Sequence, residues 1–222
     1  MRYINKAESP LFFEECKQSL SDLNRWETFS ENQPLSRCKQ QLHRHLLDEQ
    51  SGLCVYCERE VTTSSSHIEH VYPKSTYPDK TFDYQNLVTS CNGESCSIVT
   101  NDIYKPEDIQ SCGHRKSDLL DEQLFVSPLA HVDIGNYFSY NKTSCAIMPS
   151  GKSPSKASYT IDLLNLGNTR LNNERSNARV ALIQATTSFL SQERKNKIQF
   201  LLSKDRPFIS FLRYNFSPFL AE

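Results

Sequence analysis

No apolar run in this 222-residue chain approaches the ~18 residues needed to span a bilayer. The first residues, Met1-Arg2-Tyr3-Ile4-Asn5-Lys6, carry no apolar signal core, so export is not expected. Internal repeats are absent. A charge surplus is also missing, since the formal net charge is -1. Phosphate neutralisation supplies most of the affinity of proteins for nucleic acid, so a chain that grips nucleic acid alone is expected to be basic. Either the basic residues gather on one face here, or a partner holds the substrate. These absences argue against a membrane-spanning protein, a secreted one and a repeat array.

The composition, 37% hydrophobic and 23% charged, suits a soluble globular protein. The length allows one large domain, or a small site-bearing module on a helical body. Eight cysteines without an export signal argue for metal binding rather than disulfides, in a reducing cytoplasm.

The cysteines and histidines fall in an ordered series. Cys54-Val55-Tyr56-Cys57 comes first, then His67-Ile68-Glu69-His70-Val71-Tyr72-Pro73-Lys74-Ser75, then Asn86-Leu87-Val88-Thr89-Ser90-Cys91, then Cys112-Gly113-His114-Arg115-Lys116. A CxxC turn brings two thiolates to the same side, and zinc prefers four thiolate or imidazole ligands in a tetrahedron. Cys54 and Cys57 therefore form half of a structural zinc site. The other half comes from Cys91 with Cys112, or with Cys96 as the alternative. A second zinc site from Cys96, Cys112 and His114 is a further arrangement. Cys16, Cys38 and Cys145 read as small buried hydrophobes.

The segment around Glu69 and His70 suits hydrolysis of a phosphodiester. That reaction needs an activated water, a Lewis acid on the phosphate and stabilisation of the leaving oxygen. An imidazole near neutral pH can take the water's proton, which makes His70 the expected base. A carboxylate is a hard ligand for Mg²⁺ or Mn²⁺, which assigns Glu69 to the metal. Neighbours on a strand point to opposite sides, so Glu69 faces the metal and His70 the water. Asn86 is expected to fix the orientation of His70. His114, with Asp118 as its rival, completes the metal site. Lys116 and Arg115 are placed against phosphate, and His67 is read as structural or supporting. His43 and His45 read as surface residues.

Elements are read from pattern. A helix follows Pro10. A second helix starts at an N-cap Ser36, carries Leu35, Cys38, Leu42 and Leu46, and stops at Gly52. Residues 54–72 read as two short strands with Thr62 to Ser66 as the turn. Pro73 to Pro78 is loop, His114 to Glu122 a helix, and Asn141 to Ser158 an exposed loop or linker. Leu171, Arg175, Ala178, Leu182, Thr186 and Phe189 form one helical stripe, and Gln192 to Leu202 a further helix ended by Pro207. Arg175 reads as structural. The Phe-rich tail (Phe200, Phe208, Phe211, Phe216, Phe219) is either core or a docking face.

These residues resemble the HNH (ββα-metal) endonuclease family, whose pattern is CxxC, Asp/Glu-His, Asn, then paired cysteines beside a His or Asn and a Lys. The chain departs from the pattern in two places. About twenty residues separate Cys91 from Cys112, where two are usual. His114 also stands two residues after its cysteine, where the usual ligand follows at once. Beyond this core, "INKAESP", "LLDEQSGLCVYCE", "HIEHVYPKS", "FDYQNLVTSC", "SCGHRKSD" and "IDLLNLGNTRLNNERSNAR" resemble the PtuB-type nucleases of Septu and retron anti-phage systems.

That resemblance implies an α+β protein with a zinc-stabilised ββα core surrounded by N- and C-terminal helices. Its expected parts are an N-terminal helical segment (1–50), the nuclease core with its zinc knuckle (51–125) and a mainly helical region (126–222). It also implies a PtuA-type ABC ATPase as partner, with a retron reverse transcriptase and its multicopy single-stranded DNA as further components. DNA is the expected substrate. The alternatives are an RNA (tRNA) nuclease of the same chemistry and a non-catalytic zinc module that binds nucleic acid or protein.

Overall fold

A computed structural model describes residues 1–20, 25–93 and 109–220. The chain is α+β. Helix α1 (Leu11–Gln18) and a short 3-10 turn (Trp26–Ser30) precede α2 (Gln33–Glu49). Strands β1 (Ser66–His70) and β2 (Leu87–Cys91) form an antiparallel pair, and α3 (Cys112–Lys116) follows. A second small pair, β3 (Phe138–Tyr140) and β4 (Ile147–Pro149), leads into helices α4 (Pro154–Leu163), α5 (Thr169–Gln184), α6 (Ser191–Ser203), α7 (Ile209–Asn215) and α8 (Ser217–Leu220). Among the described residues no helix is long and apolar enough to cross a membrane.

Helix α2 starts one turn earlier than its sequence pattern suggests. The Asn32 side chain, not Ser36, accepts the Leu35 N–H at 3.2 Å. Pro34 is tolerated in the first turn because no N–H is needed there. The buried face of α2 holds Leu35, Cys38, Leu42 and Leu46 as read, plus Leu47. Gly52, with φ +69°, takes the left-handed turn that releases the chain towards Cys54. At this corner Gln50 is fully buried. Its amide donates to the carbonyls of Leu53 and Thr89, both at 2.9 Å, and accepts the Thr89 N–H at 2.7 Å. One side chain thus ties the end of α2 to the backbone of β2.

The two strands expected within 54–72 are corrected. Residues 54–60 form a knuckle loop closed by a single bridge, Leu53 with Glu60, and only β1 belongs to that stretch. Its partner is β2, in the Leu-Val-Thr-Ser-Cys segment after Asn86. The register pairs His67 with Ser90, Glu69 with Val88 and His70 with Leu87. All five β2 residues are buried, so the strand shows no alternation to read. The helix expected over His114–Glu122 is the short α3, which ends at Ser117 with φ 50°. The expected linker Asn141–Ser158 contains β4 and the start of α4. Phe189 lies beyond α5 and is exposed. Cys96 lies outside the described residues.

Two apolar clusters flank the β1–β2 pair. One joins the knuckle to β3 and to the C-terminal helices, and takes in Phe208, Phe211 and Phe216, while Phe200 is exposed. Glu58 in the knuckle is buried and holds the start of α7, accepting the Ser210 N–H at 2.9 Å. Arg175 donates to the Leu166 carbonyl and to Asn172, both at 2.9 Å, in the structural role read for it. The other cluster contains Phe13, Trp26, Phe29, Leu42, Phe82 and Leu87. There Cys16 and Cys38 form a disulfide between α1 and α2, which corrects their reading as small buried hydrophobes. Cys145 is a free, buried cysteine, as read.

Replacing Gln50 with alanine leaves the Thr89 and Leu53 backbone groups buried without partners. The expected loss is about 1–3 kcal/mol of unfolding free energy. Urea titration of Gln50→Ala checks this, and a midpoint equal to the wild type would refute the role given to Gln50.

Candidate active site and metal centre

The four cysteines Cys54, Cys57, Cys91 and Cys112 converge from three segments, with their sulfurs all within 4.8 Å of one another. Each is buried. The Cys91 N–H points at the Cys54 sulfur at 3.3 Å. Burial raises the Cys54 thiol, but hydrogen bonds from the other three cysteines outweigh it and hold Cys54 well below its ordinary value. Burial pushes Cys57 and Cys112 well up, and the Cys54 charge adds to this. Four buried thiols that cannot all ionise unaided form a soft, closed donor set that fits a structural Zn²⁺. Of the two fourth ligands considered, Cys112 stands in this cluster.

Alternation along β1 divides the chemistry between two faces. His67 and Glu69 share the face towards α3, and Ile68 and His70 share the other. Glu69 is 8% exposed. Its Oε1 takes the Lys116 ammonium at 3.0 Å and the Tyr56 hydroxyl at 3.3 Å. Its Oε2 faces His67 Nε2 at 3.4 Å. Burial raises the Glu69 carboxyl, but His67 and Lys116 outweigh it and keep the group ionised below its ordinary value. His67 behaves in the opposite sense. Burial lowers it, and Glu69 with Asn92 brings the net shift above the usual imidazole value.

His70, also 8% exposed, lies on the far face. Its Nε2 is 2.9 Å from the Thr81 carbonyl, and the Trp26 ring meets it edge-on with centroids 4.7 Å apart. A carbonyl only accepts, so Nε2 carries the proton and Nδ1 keeps its lone pair. Burial lowers the His70 pKa, so the ring is neutral near pH 7 and able to take a proton. Asn86 reaches His70 through the loop between the strands. It accepts from the Tyr72 N–H at 2.7 Å and donates to the Tyr72 and Lys80 carbonyls at 3.0 Å. Lys80 precedes Thr81, so Asn86 fixes the backbone that holds the His70 ring.

On α3 the expected phosphate contact Lys116 is corrected. It is 1% exposed, and besides Glu69 its ammonium binds the carbonyls of His70 at 3.1 Å and Ser117 at 3.3 Å. It is a fixed internal cation that holds Glu69 against the end of β1. Arg115 is exposed beside it, as is Asp118. His114 is exposed too, and its ring meets His67 edge-on with centroids 4.6 Å apart. Among the described residues only the four cysteines bring three or more ligand atoms within 4.8 Å of one another. His43 and His45 are half-buried rather than on the surface, and His43 bonds the Ser66 hydroxyl at 2.9 Å.

The HNH endonuclease family matches residues 54–93, which carry the knuckle, Glu69, His70 and Asn86. The "Retron Vc95 putative HNH endonuclease" of Vibrio cholerae serotype O1 biovar El Tor is 31% identical over 157 residues, covering 67% of this chain and 69% of that protein. The chain belongs to the HNH endonuclease family. The "Retron Ec83 putative HNH endonuclease" of Escherichia coli is 26% identical over 79% of this chain and 78% of its own length. The "Septu protein PtuB" of Bacillus thuringiensis is 36% identical over 62 residues, 27% of this chain and 24% of that protein.

Several parts of this HNH site escaped the sequence reading. Trp26 and the Thr81 carbonyl frame His70 from remote segments, and no local pattern marks them. Tyr56 sits inside the CxxC and was legible as a side chain bound to be near the metal loop. Gly113 is the least expected. A Cβ there would lie 2.6 Å from Glu69 Oε2 and 2.9 Å from His67 Nε2. Gly113→Ala is therefore expected to push Glu69 aside and to cost about 1–3 kcal/mol by overpacking. Chemical denaturation measures the stability. An unchanged midpoint would mean that Glu69 and His67 have room that this geometry denies them.

Proposed function

We propose that this HNH endonuclease hydrolyses nucleic-acid phosphodiester bonds with His70 as general base and Glu69 as the acid ligand of Mg²⁺ or Mn²⁺. One observation carries this reading most directly: His70 is buried, and its Nε2–H is committed to the Thr81 carbonyl so that Nδ1 is the basic atom. Water on the Nδ1 side gives up its proton as its oxygen attacks phosphorus. Trp26 and the Asn86-braced loop keep the ring from turning. Lys116 and Tyr56 hold Oε1 of Glu69, so that the carboxylate faces the site in one orientation. His114 stands at the rim and Arg115 offers an exposed cation to phosphate. When bound, the divalent ion supplies positive charge to the scissile phosphate and the departing oxygen. Cys54, Cys57, Cys91 and Cys112 hold a structural Zn²⁺ that joins the knuckle, β2 and α3.

The names of the similar proteins support a retron or Septu setting, and anti-phage defence in the cytoplasm is the context proposed with it. The partner there is a PtuA-type ATPase, with a retron reverse transcriptase and its multicopy single-stranded DNA where the system is a retron. A formal net charge of -1 supports shared substrate capture. DNA is the proposed substrate.

The test is cleavage by the chain co-expressed with its genomic neighbours, on plasmid DNA and on total tRNA, with Mg²⁺ or Mn²⁺ against EDTA. His70→Ala is expected to lower the rate by about 10²–10⁴-fold with circular dichroism unchanged. Full activity in that variant would remove His70 as base, and cutting of tRNA alone would replace DNA as substrate. Elemental analysis is expected to find one zinc per chain in the wild type. Cys112→Ser is expected to lose it together with several kcal/mol of stability. Retention of a full complement of zinc by that variant would exclude Cys112 as a ligand.

A further inference from the structure

We propose that His67 is the imidazole ligand of the divalent cation, occupying the space that a side chain after Cys112 would fill. This rests on the reading that Glu69 holds such an ion.

The strand places His67 and Glu69 on the same face, two residues apart on β1. The Glu69 carboxylate is divided: Oε1 is taken by Lys116 and Tyr56, and Oε2 looks at His67 Nε2 across 3.4 Å. The imidazole is divided in the same way. Its Nδ1 meets Asn92 Oδ1 at 3.2 Å, and the Asn92 amide nitrogen is directed at the Ser64 carbonyl at 3.5 Å. The amide oxygen therefore faces Nδ1, which must carry the proton. Nε2 and Oε2 then face each other, joined by a proton when His67 is an imidazolium and by a shared cation when one is bound. Two ligands in neighbouring octahedral positions, each about 2.1 Å from the ion, stand about 3 Å apart, close to the separation seen. An imidazole whose far nitrogen is held by an amide oxygen is the usual support for a metal-bound histidine.

Gly113 explains why the ligand lies on β1. A side chain there would start 2.6 Å from Oε2 and 2.9 Å from Nε2, in the gap that His67 closes. The position directly after Cys112 has no donor, and His67 supplies one from β1, the strand that faces α3. His114, further along α3, touches the outer edge of the His67 ring.

The experiment uses the full chain, zinc-loaded, with Mn²⁺ as probe. Affinity is read by calorimetry and directly bound imidazole nitrogen by pulsed EPR. Zinc content and circular dichroism of each variant establish that it is folded. His67→Ala and His67→Gln are expected to bind Mn²⁺ at least tenfold more weakly than the wild type and to lose the nitrogen signal. If His67 is only an ion-pair partner of Glu69, its removal leaves Mn²⁺ affinity equal or higher. That result, with Glu69→Ala still abolishing binding, overturns the inference and leaves the Glu69 reading standing. A wild-type spectrum without imidazole nitrogen overturns the inference with no variant needed. Mn²⁺ affinity unaffected by Glu69→Ala overturns both.

Discussion

The convergence of four buried cysteine sulfurs is the constraint on which the rest of the site depends. Cys54 and Cys57 lie in the knuckle, Cys91 ends β2 and Cys112 begins α3. Fixing Cys91 fixes β2, and the β1–β2 register then sets where Glu69 and His70 stand. Fixing Cys112 sets the first turn of α3. From there Gly113 meets the Glu69 carboxylate and Lys116 reaches its other oxygen. Neutral thiols would leave this knot poorly held, because buried sulfurs that repel each other's ionisation gain little from proximity alone. A soft cation converts that repulsion into bonds, and the whole ββα unit shares the gain.

Strand β1 acts as a partition. Its α3 side holds His67 and Glu69, joined to the four-cysteine knot through Gly113, whose N–H donates to the Ser90 hydroxyl at 3.0 Å. Its other side turns His70 and Ile68 towards the second apolar cluster, where Trp26 and Phe82 stack with centroids 5.1 Å apart. His70 is therefore positioned by the N-terminal segment, and Glu69 by the knuckle and α3. Lys116 spans the divide, binding Glu69 on one side and the His70 carbonyl at the end of the strand.

Side-chain chemistry at short spacing was readable before any fold was in view. The CxxC pair, Cys91 and Cys112 meet in one cluster, and Glu69 and His70 face opposite ways as strand alternation requires. Sequence reasoning failed where the deciding neighbour is remote or where burial removes the pattern. β2 is buried on both faces, so its residues show no period, and a hairpin was drawn within 54–72 instead. Lys116 looked like a surface cation because its partner is Glu69, some forty-seven positions earlier. His67, read as structural or supporting, does lie beside Glu69, at the two-residue period of a strand. The Cys16–Cys38 disulfide runs against the expectation of metal binding rather than disulfides, because α1 packs on α2 and brings the two sulfurs together.

The internal use of basic side chains bears on how a polyanion is held. Lys116, Arg170 and Arg175 are all buried, and each is engaged by backbone or side-chain oxygens. They count towards a net charge of -1 yet offer nothing to phosphate. Glu58 and Glu69 are buried too, so among the described residues burial takes one more cation than anion out of the formal balance. Counterion release scales with the phosphates a protein neutralises, so this chain gains little of it unaided. Attraction to a nucleic acid must then be concentrated in two places under the proposed mechanism. One is the divalent ion at Glu69, and the other is a basic surface provided by a partner.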